Sequence, residues 1–366
     1  MEIAVIGGGN GAYAAAADLA EQGHQVRMWR RNKKAFQEVI EKQSINVKGN
    51  KGTRTVLLKL ASTDLREVVQ GAKLIVIPLP AFSQRSLAKQ LAHVLEDSQV
   101  IFLPPGTFGS YLMSKEIAEE GCKAKVAFAE TGTLPYLARK CDEKTVSISA
   151  RATRLPTGVF PSEQSEQVFS VLREAFPSIE PIQDALDGAL MNAGPIIHPP
   201  LILMNAGPIE HFEKWDIHNE GTQASIRNVH KALDAERIKI REALEYCEPH
   251  FPLDHHYNFE GEEWMYANEA HEKLVDGGDW YEPIVLKTHR YMREDVACGL
   301  AFLVSIGEWL GVPVPTAKGL LSIGSAVVGE DLRQTGRTME NLGLASNTKE
   351  ELKELLKKGF CHYEVI

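Results

Sequence analysis

Short apolar runs alternating with helix-periodic stretches organise the first half of the chain. Residues 3–6 are apolar and end in glycines, residues 12–20 form an alanine-rich helical stretch closed by Gly23, and 25–29 and 34–41 read as the next strand and helix. Two short strand candidates follow at 44–47 and 56–60. Residues 74–77, 100–103 and 126–128 are brief apolar runs bounded by turn residues, as buried parallel strands are. Helical patterns at 83–95 and 111–120 lie between them. A strand at 145–149, a helix near 164–175 and a strand near 180–183 complete the series. Strand–helix alternation of this kind predicts a doubly wound parallel sheet, the Rossmann architecture.

After residue 184 the strand signals stop. Residues 225–246 keep Ile226, Val229, Leu233, Ile240 and Leu244 on one apolar stripe with charges opposite. A second helix is expected over 295–310, stopped by Gly311 and the Pro313/Pro315 pair. Thr348 and Glu351 form a capping box for a third at 349–358, ended by Gly359. The fold class expected is α/β followed by all-α, with a dinucleotide-binding domain over 1–184 and a helical substrate domain over 185–366. No Ser/Gly-rich linker separates them, so they are expected to dock tightly. The hexapeptide MNAGPI occurs twice, at 191–196 and 204–209, but two copies make no solenoid.

Composition narrows the partners. At about 150 residues per domain, 366 residues allow two or three domains. The net charge of −9 leaves no electrostatic footprint for nucleic acid. No apolar stretch approaches the roughly 20 residues of a membrane span, and no signal peptide is visible, so a cytoplasmic location is expected. Five scattered cysteines, Cys122, Cys141, Cys247, Cys298 and Cys361, contain no CxxC pair and suit a reducing compartment.

The strongest chemical signal is Gly7-Gly8-Gly9-Asn10-Gly11-Ala12, placed between the first strand and first helix and matching G-x-G-x-x-A. Gly7 permits the tight turn, Gly9 lets the backbone approach a pyrophosphate, and Ala12 keeps helix and sheet close. Where an acid would favour NAD, the second strand ends in Arg30, Arg31, Asn32, Lys33 and Lys34. A guanidinium at Arg30 suits a 2′-phosphate by charge and forked hydrogen bonding, so NADP(H) is the expected cofactor and NAD(H) the alternative.

In the second half, His198 stands between Pro195 and Pro199-Pro200, which are expected to interrupt the helical pattern. It is read either as a packed structural residue or as an acid–base group. Asp295 is expected near the start of a helix, where it serves either as N-cap or as the carboxylate that orients a histidine. Arg290 either forks onto a substrate carboxylate or makes a surface ion pair. His250, Asp254, His255 and His256 match no zinc spacing and are read as loop residues, so no metal is expected. Trp264, Tyr266, Trp280 and Tyr281 are read as packing aromatics.

Taken in order, six pieces resemble the opine dehydrogenase family, the octopine/nopaline type that includes the bacterial N-(1-carboxyethyl)-norvaline enzymes. They are Gly7–Ala12; Glu130, Thr133 and Leu134-Pro135-Tyr136; Asn192 with His198-Pro199; Leu233-Asp234-Ala235-Glu236-Arg237; Arg290 with Glu294-Asp295; and Gly336-Arg337-Thr338 with Leu342-Gly343-Leu344. The resemblance implies a Rossmann domain followed by a helical one, with the active site in the cleft between them. It implies condensation of an amino acid with a 2-oxo acid and reduction of the imine by NAD(P)H. It assigns the proton work to His198 and Asp295 and a substrate carboxylate to Arg290, and it points to Thr133 and Asn192 as further substrate contacts. Gly7, Gly9, Asn10, Gly11, Ala12, Arg30 and Arg31 fall at the cofactor. Several relatives carry an acid where this chain has Arg30. The segment 250–280 shows no family motif and is read as part of the amino-donor pocket or its lid.

Two other readings compete. Reductases of the ketopantoate or glycerol-3-phosphate type resemble the first half but rely on a catalytic lysine, and no lysine occurs between Lys144 and Lys214. A non-catalytic NADP-binding sensor needs the glycine loop but has no reason to bring His198, Arg290 and Asp295 together. The expected partners are small molecules, with a homodimer through the helical domain as the assembly considered.

Overall fold

A computed structural model describes residues 1–49, 52–253 and 283–360. Along the chain run β1 (Glu2–Ile6), β2 (Gln25–Trp29), β3 (Ser44–Gly49), β4 (Gly52–Leu57), β5 (Leu60–Ser62) and β6 (Leu74–Val76). Then follow β7 (Val100–Leu103), β8 (Ala127–Thr131), β9 (Tyr136–Lys140), β10 (Thr145–Arg151), β11 (Leu155–Phe160) and β12 (Ile179–Pro181). The main sheet has the order β12-β11-β8-β7-β6-β1-β2-β5. Its strands pair in parallel except β8 with β11. Strand order reverses between β1 and β6, which opens a crevice at their carboxyl ends, the place where doubly wound sheets bind ligands. Alternation along β1 sends Ala4 and Ile6 into one core and Ile3 and Val5 into the other, so both faces of the sheet are covered.

A second sheet, β4-β3-β10-β9, lies against the first helix, Asn10–Glu21. Tyr136 donates to Asp18 Oδ2 at 3.0 Å and Arg151 Nε to Asp18 Oδ1 at 2.6 Å, fixing the contact. The expected strand at 56–60 divides between β4 and β5. At that point Leu58 N–H bonds Gln43 O in the small sheet and Lys59 N–H bonds Val26 O in the main one. Sequence patterning missed β9 and β11. Pro156 and Gly158 obscure the latter, and Gly158 is required because a Cβ there would fall 1.7 Å from Asp184 O.

The second half is helical through the described residues that follow Ala185. His198 lies inside the helix Gly194–Met204, which contains Pro199 and Pro200, so the expected interruption at the prolines is absent. Pro195 suits the first turn, and burial of Ile196 and Leu201–Leu203 offsets the amide bonds that the inner prolines forfeit. The helix expected to open at Asp295 begins at Tyr291. Met292 and Val296, both fully buried, extend the apolar stripe backwards, and Asp295 is therefore interior and caps nothing. Its turns over Tyr291–Leu300 have π-type spacing before α-helix resumes at Ala301–Leu310. The capping box at Thr348 and Glu351 is present. Each MNAGPI copy leads into a helix, Gly194–Met204 and Ala206–His211.

Several motif residues are structural braces. Glu236 accepts from Thr316 and Ala317 N–H at 2.7 and 2.9 Å, capping the helix Pro315–Val328. Buried Arg237 bonds Asp234 Oδ1 at 2.7 Å, Leu190 O at 3.0 Å and His250 O at 2.8 Å. Asp254, His255, His256, the four aromatics at 264–281 and Cys361 lie outside the described residues. At the seam between the halves, Arg337 is 6% exposed. It donates to Gly106 O at 3.3 Å, to Thr107 O, to Ala81 O at 3.2 Å and to Gln84 Oε1 at 2.9 Å. Phe108 also stacks on Phe302 across the seam, ring centroids 5.4 Å apart.

Arg337→Ala removes the donors for these acceptors and a positive charge that favours the ionised form of buried Glu130. The expected cost is about 3–5 kcal/mol, read as a lower urea midpoint. A change below about 1 kcal/mol contradicts the bracing role.

Candidate active site

The glycine loop closes the carboxyl end of β1. Gly7 has φ +141° and donates its N–H to Trp29 O at 2.9 Å. A Cβ on Gly11 would lie 2.6 Å from Leu134 Cδ2 and 3.1 Å from Pro78 Cβ, so a side chain there would have to displace Leu134. Around Gly9 nothing lies within 4 Å of where a Cβ would stand, which leaves an open cradle before the helix N-terminus. Ala12 is buried against the sheet. These features fit a dinucleotide pyrophosphate, held by backbone N–H groups and the helix dipole. Asn10 does not face the cradle freely; its Oδ1 accepts from Lys140 N–H at 3.0 Å. Arg30 folds back over Gly8, with its Nε 2.3 Å from a Cβ position there, and donates to Tyr13 Oη at 3.3 Å and to Ala35 O. Arg31 is exposed.

His198 and Asp295, ninety-seven positions apart, meet on adjoining helices with Nδ1 2.8 Å from Asp295 Oδ2. A carboxylate only accepts, so Nδ1 carries the hydrogen and the neutral ring keeps its lone pair on Nε2. Gly194 makes this pairing sterically feasible: a Cβ there would sit 2.3 Å from Asp295 Oδ1. Tyr291 stacks on the imidazole with centroids 3.7 Å apart and planes 11° from parallel. The Tyr291 hydroxyl lies 3.2 Å from His218 Nε2 and receives Arg290 Nη2 at 3.3 Å. Exposed Arg290, Tyr291, His198 and Asp295 are thus one constellation. Sequence reasoning overlooked Tyr291 and His218. Tyr291 stands four residues before Asp295 on the same helix, outside the span at 295–310 over which that helix is expected from sequence.

The charges around the dyad are arranged with care for sign. His230 Nε2 donates to Ile197 O at 3.0 Å, and burial holds that imidazole down to about 4, so it stays neutral beside His198. Burial and the adjacent Asp295 push Glu294 well above the usual carboxylate range. Glu294 Oε2 accepts from Ala81 N–H at 3.1 Å, directly after the 78–80 segment that touches Gly7 and Gly11. This bond ties the dyad's helix to the crevice wall. Behind it, fully buried Glu130 accepts from Phe108 and Ser110 N–H at 2.7 and 2.8 Å; desolvation raises it to about 7.

Thr133 is half-buried where the loop after β8 meets the His198 helix; a Cβ on neighbouring Gly132 would fall 2.2 Å from Met191 C. Asn192 is 6% exposed and fully engaged: Nδ2 donates to Thr107 Oγ1 and Oδ1 accepts from Gly194 N–H, both at 2.9 Å. It braces the start of the His198 helix. Among the described residues, no three of His, Cys, Asp or Glu are grouped to hold a metal ion, and no helix is long and apolar enough to cross a membrane.

Residues 181–328 match the family model described as NAD/NADP octopine/nopaline dehydrogenase, alpha-helical domain. Residues 2–129 match the N-terminus of NAD-dependent glycerol-3-phosphate dehydrogenase. The opine dehydrogenase of Arthrobacter sp. (strain 1C) is 28% identical over 349 residues, spanning 94% of this chain and 96% of the relative. Vitopine synthase of Allorhizobium ampelinum is 28% identical over 357 residues, spanning 94% and 95%. A solved structure of octopine dehydrogenase in complex with NADH and agmatine shares the fold at TM-score 0.73 and 17% identity, covering 99% of both chains. NADP+-bound yersinopine dehydrogenase does so at 0.64 and 12%, covering 98% of both. The likeness to glycerol-3-phosphate dehydrogenase is confined to the nucleotide-binding half, whereas the helical half and the nearly full-length relatives agree in their similarity to opine dehydrogenases.

Proposed function

We propose that this enzyme joins the amino group of an amino acid to a 2-oxo acid and reduces the resulting imine, giving an N-carboxyalkyl amino acid, with His198 and Asp295 as its acid–base pair. NAD(P)H, when bound, supplies the hydride. The observation that carries the residue assignment is the 2.8 Å contact between His198 and Asp295 on a helix tied to the crevice wall. The catalytic division runs between a nucleotide-binding part over 1–184 and a helical part over 185–366.

Condensation releases water from the amine and the keto group, and the product imine accepts hydride at carbon only when its nitrogen is protonated or strongly polarised. His198 Nε2 gives and takes that proton, the task to which an imidazole is best suited among the side chains. Asp295 holds the tautomer and stabilises the imidazolium; such acid–base help supplies roughly 10²–10⁴-fold. Arg290 grips the 2-oxo acid carboxylate, and its stacking on Tyr291, 4.9 Å from the ring centroid, fixes the guanidinium relative to the imidazole. Thr133 adds a hydroxyl from the loop over the crevice. Asn192 acts on substrate indirectly, by holding the His198 helix in place.

For the cofactor, we favour NADPH over NADH. The support is a basic strand end with Arg30 lying over the glycine loop. An oxo-acid-only reductase is the rival, and a donor-by-acceptor screen followed by NADPH absorbance separates them. Consumption that requires both an amine and a 2-oxo acid supports opine formation; turnover with a 2-oxo acid alone supports the rival.

His198→Ala is expected to lower kcat by orders of magnitude with NADPH affinity intact, and Asp295→Asn to be slow as well. The double variant should be little worse than His198→Ala, because the two groups act as a unit. Fully additive losses, or an active His198→Ala, remove the dyad. Arg290→Lys keeps charge but not the planar fork, so KM for the 2-oxo acid should rise with cofactor affinity nearly unchanged; an unaltered KM excludes Arg290 from the site. Arg30→Asp should weaken NADPH binding by about 1–3 kcal/mol and relatively favour NADH. Tighter binding of NADH than NADPH by the unmodified enzyme overturns the cofactor preference.

A further inference from the structure

A second cation stands at the glycine loop, on an element that does not belong to the main sheet. Lys140 ends β9 of the small sheet, and its N–H donates to Asn10 Oδ1 at 3.0 Å. Asn10 is the first residue of the helix that follows Gly9, so the end of β9 is fastened to the loop itself. One residue-turn further along that helix, Tyr13 gathers both cations. The Lys140 ammonium lies 4.1 Å from the Tyr13 ring centroid, and Arg30 Nη1 lies 3.3 Å from the Tyr13 hydroxyl. That hydroxyl donates its own proton to Glu143 O at 2.8 Å, which orients the ring from the far side.

We propose that Lys140, together with Arg30, binds the 2′-phosphate of NADP(H), so that cofactor selection depends on the small sheet as well as on the end of β2. This rests on the NADPH preference argued above. A phosphate with charge near −2 offers three acceptor oxygens. A guanidinium fork and an ammonium point charge meeting from two sides satisfy it in a way that neither does alone. Without an anion the arrangement is unfavourable. Partial burial and the charge of Arg30 hold the Lys140 ammonium down to about 8. The charged and titratable groups facing it are Arg30 after β2, Tyr13 on the first helix, and Asp142 and Glu143 in the turn after β9; the two acids offset the repulsion through space.

Arg30 and Lys140 then have different pH behaviour. An ammonium held near 8 is charged below that pH and neutral above it, whereas a guanidinium stays charged throughout. The Lys140 share of phosphate binding is therefore present at pH 7 and lost as pH rises towards 9.5.

Calorimetric titration of the full-length enzyme with NADPH, NADH and 2′,5′-ADP tests this in the unmodified chain, Lys140→Met and Lys140→Arg. Lys140→Met should weaken NADPH and 2′,5′-ADP by about ten- to a hundredfold and leave NADH within about twofold. Lys140→Arg should retain NADPH and abolish the fall in the NADPH-to-NADH affinity ratio between pH 7 and 9.5. Equal losses for NADPH and NADH in Lys140→Met would place the lysine on the pyrophosphate and overturn the proposal. Unchanged NADPH binding in Lys140→Met, with Arg30→Asp still weakened, overturns Lys140 alone and leaves the NADPH preference standing. A preference of the unmodified enzyme for NADH overturns both.

Discussion

A guanidinium shut away from water needs acceptors for its donors, and both terminal nitrogens of Arg337 find theirs across the seam between the two halves. Its partners, Gly106, Thr107, Ala81 and Gln84, belong to the nucleotide-binding half. Because Ala81 N–H is held by Glu294 while Ala81 O is held by Arg337, the segment that walls the crevice is gripped at both polar groups of one residue. The cleft therefore has a defined width, and the helical half cannot slide without leaving buried polar groups unpaired.

The contact between His198 and Asp295 is held by the same packing. Two helices bring His198 and Asp295 to hydrogen-bond distance only because Gly194 presents no side chain to the Asp295 carboxylate. Tyr291 then covers one face of the imidazole and fixes its tilt. The neighbouring groups are kept from competing: His230 is held neutral by burial, and Glu294 is raised by desolvation and by Asp295 itself. The two groups packed nearest the pair thus add little charge of their own beside it.

The two-part organisation has a second consequence at the other end of the crevice. Asn10, whose sequence context suggests a ligand contact, is engaged with Lys140, and Asn192 is engaged with Thr107 and Gly194. Both asparagines lie in the loops expected to hold ligands, yet their side chains bind the protein. They stiffen the start of the first helix and the approach to the His198 helix.

Much of the architecture was legible in the chain because it depends on local periodicity. Buried parallel strands demand apolar runs, the glycine loop demands residues without Cβ, and the change from alternating elements to helices marks the second half. The strands that escaped notice, β9 and β11, carry polar residues or Pro156 and Gly158, since packing against distant segments outweighed their local pattern. The limits of the His198 and Asp295 helices went the same way. Buried Ile196, Leu201, Met292 and Val296 carry helix through positions where proline and the first acidic residue suggested an end. Residue types left His198, Arg290 and Asp295 open between structural and chemical roles, and the family resemblance singled them out. Whether they meet was decided by helix packing over ninety-seven positions, and so were the stacking of Tyr291 and the arrival of Lys140 beside Arg30. Contacts of that kind follow from the three-dimensional path of the backbone, about which the spacing of residues along the chain says nothing.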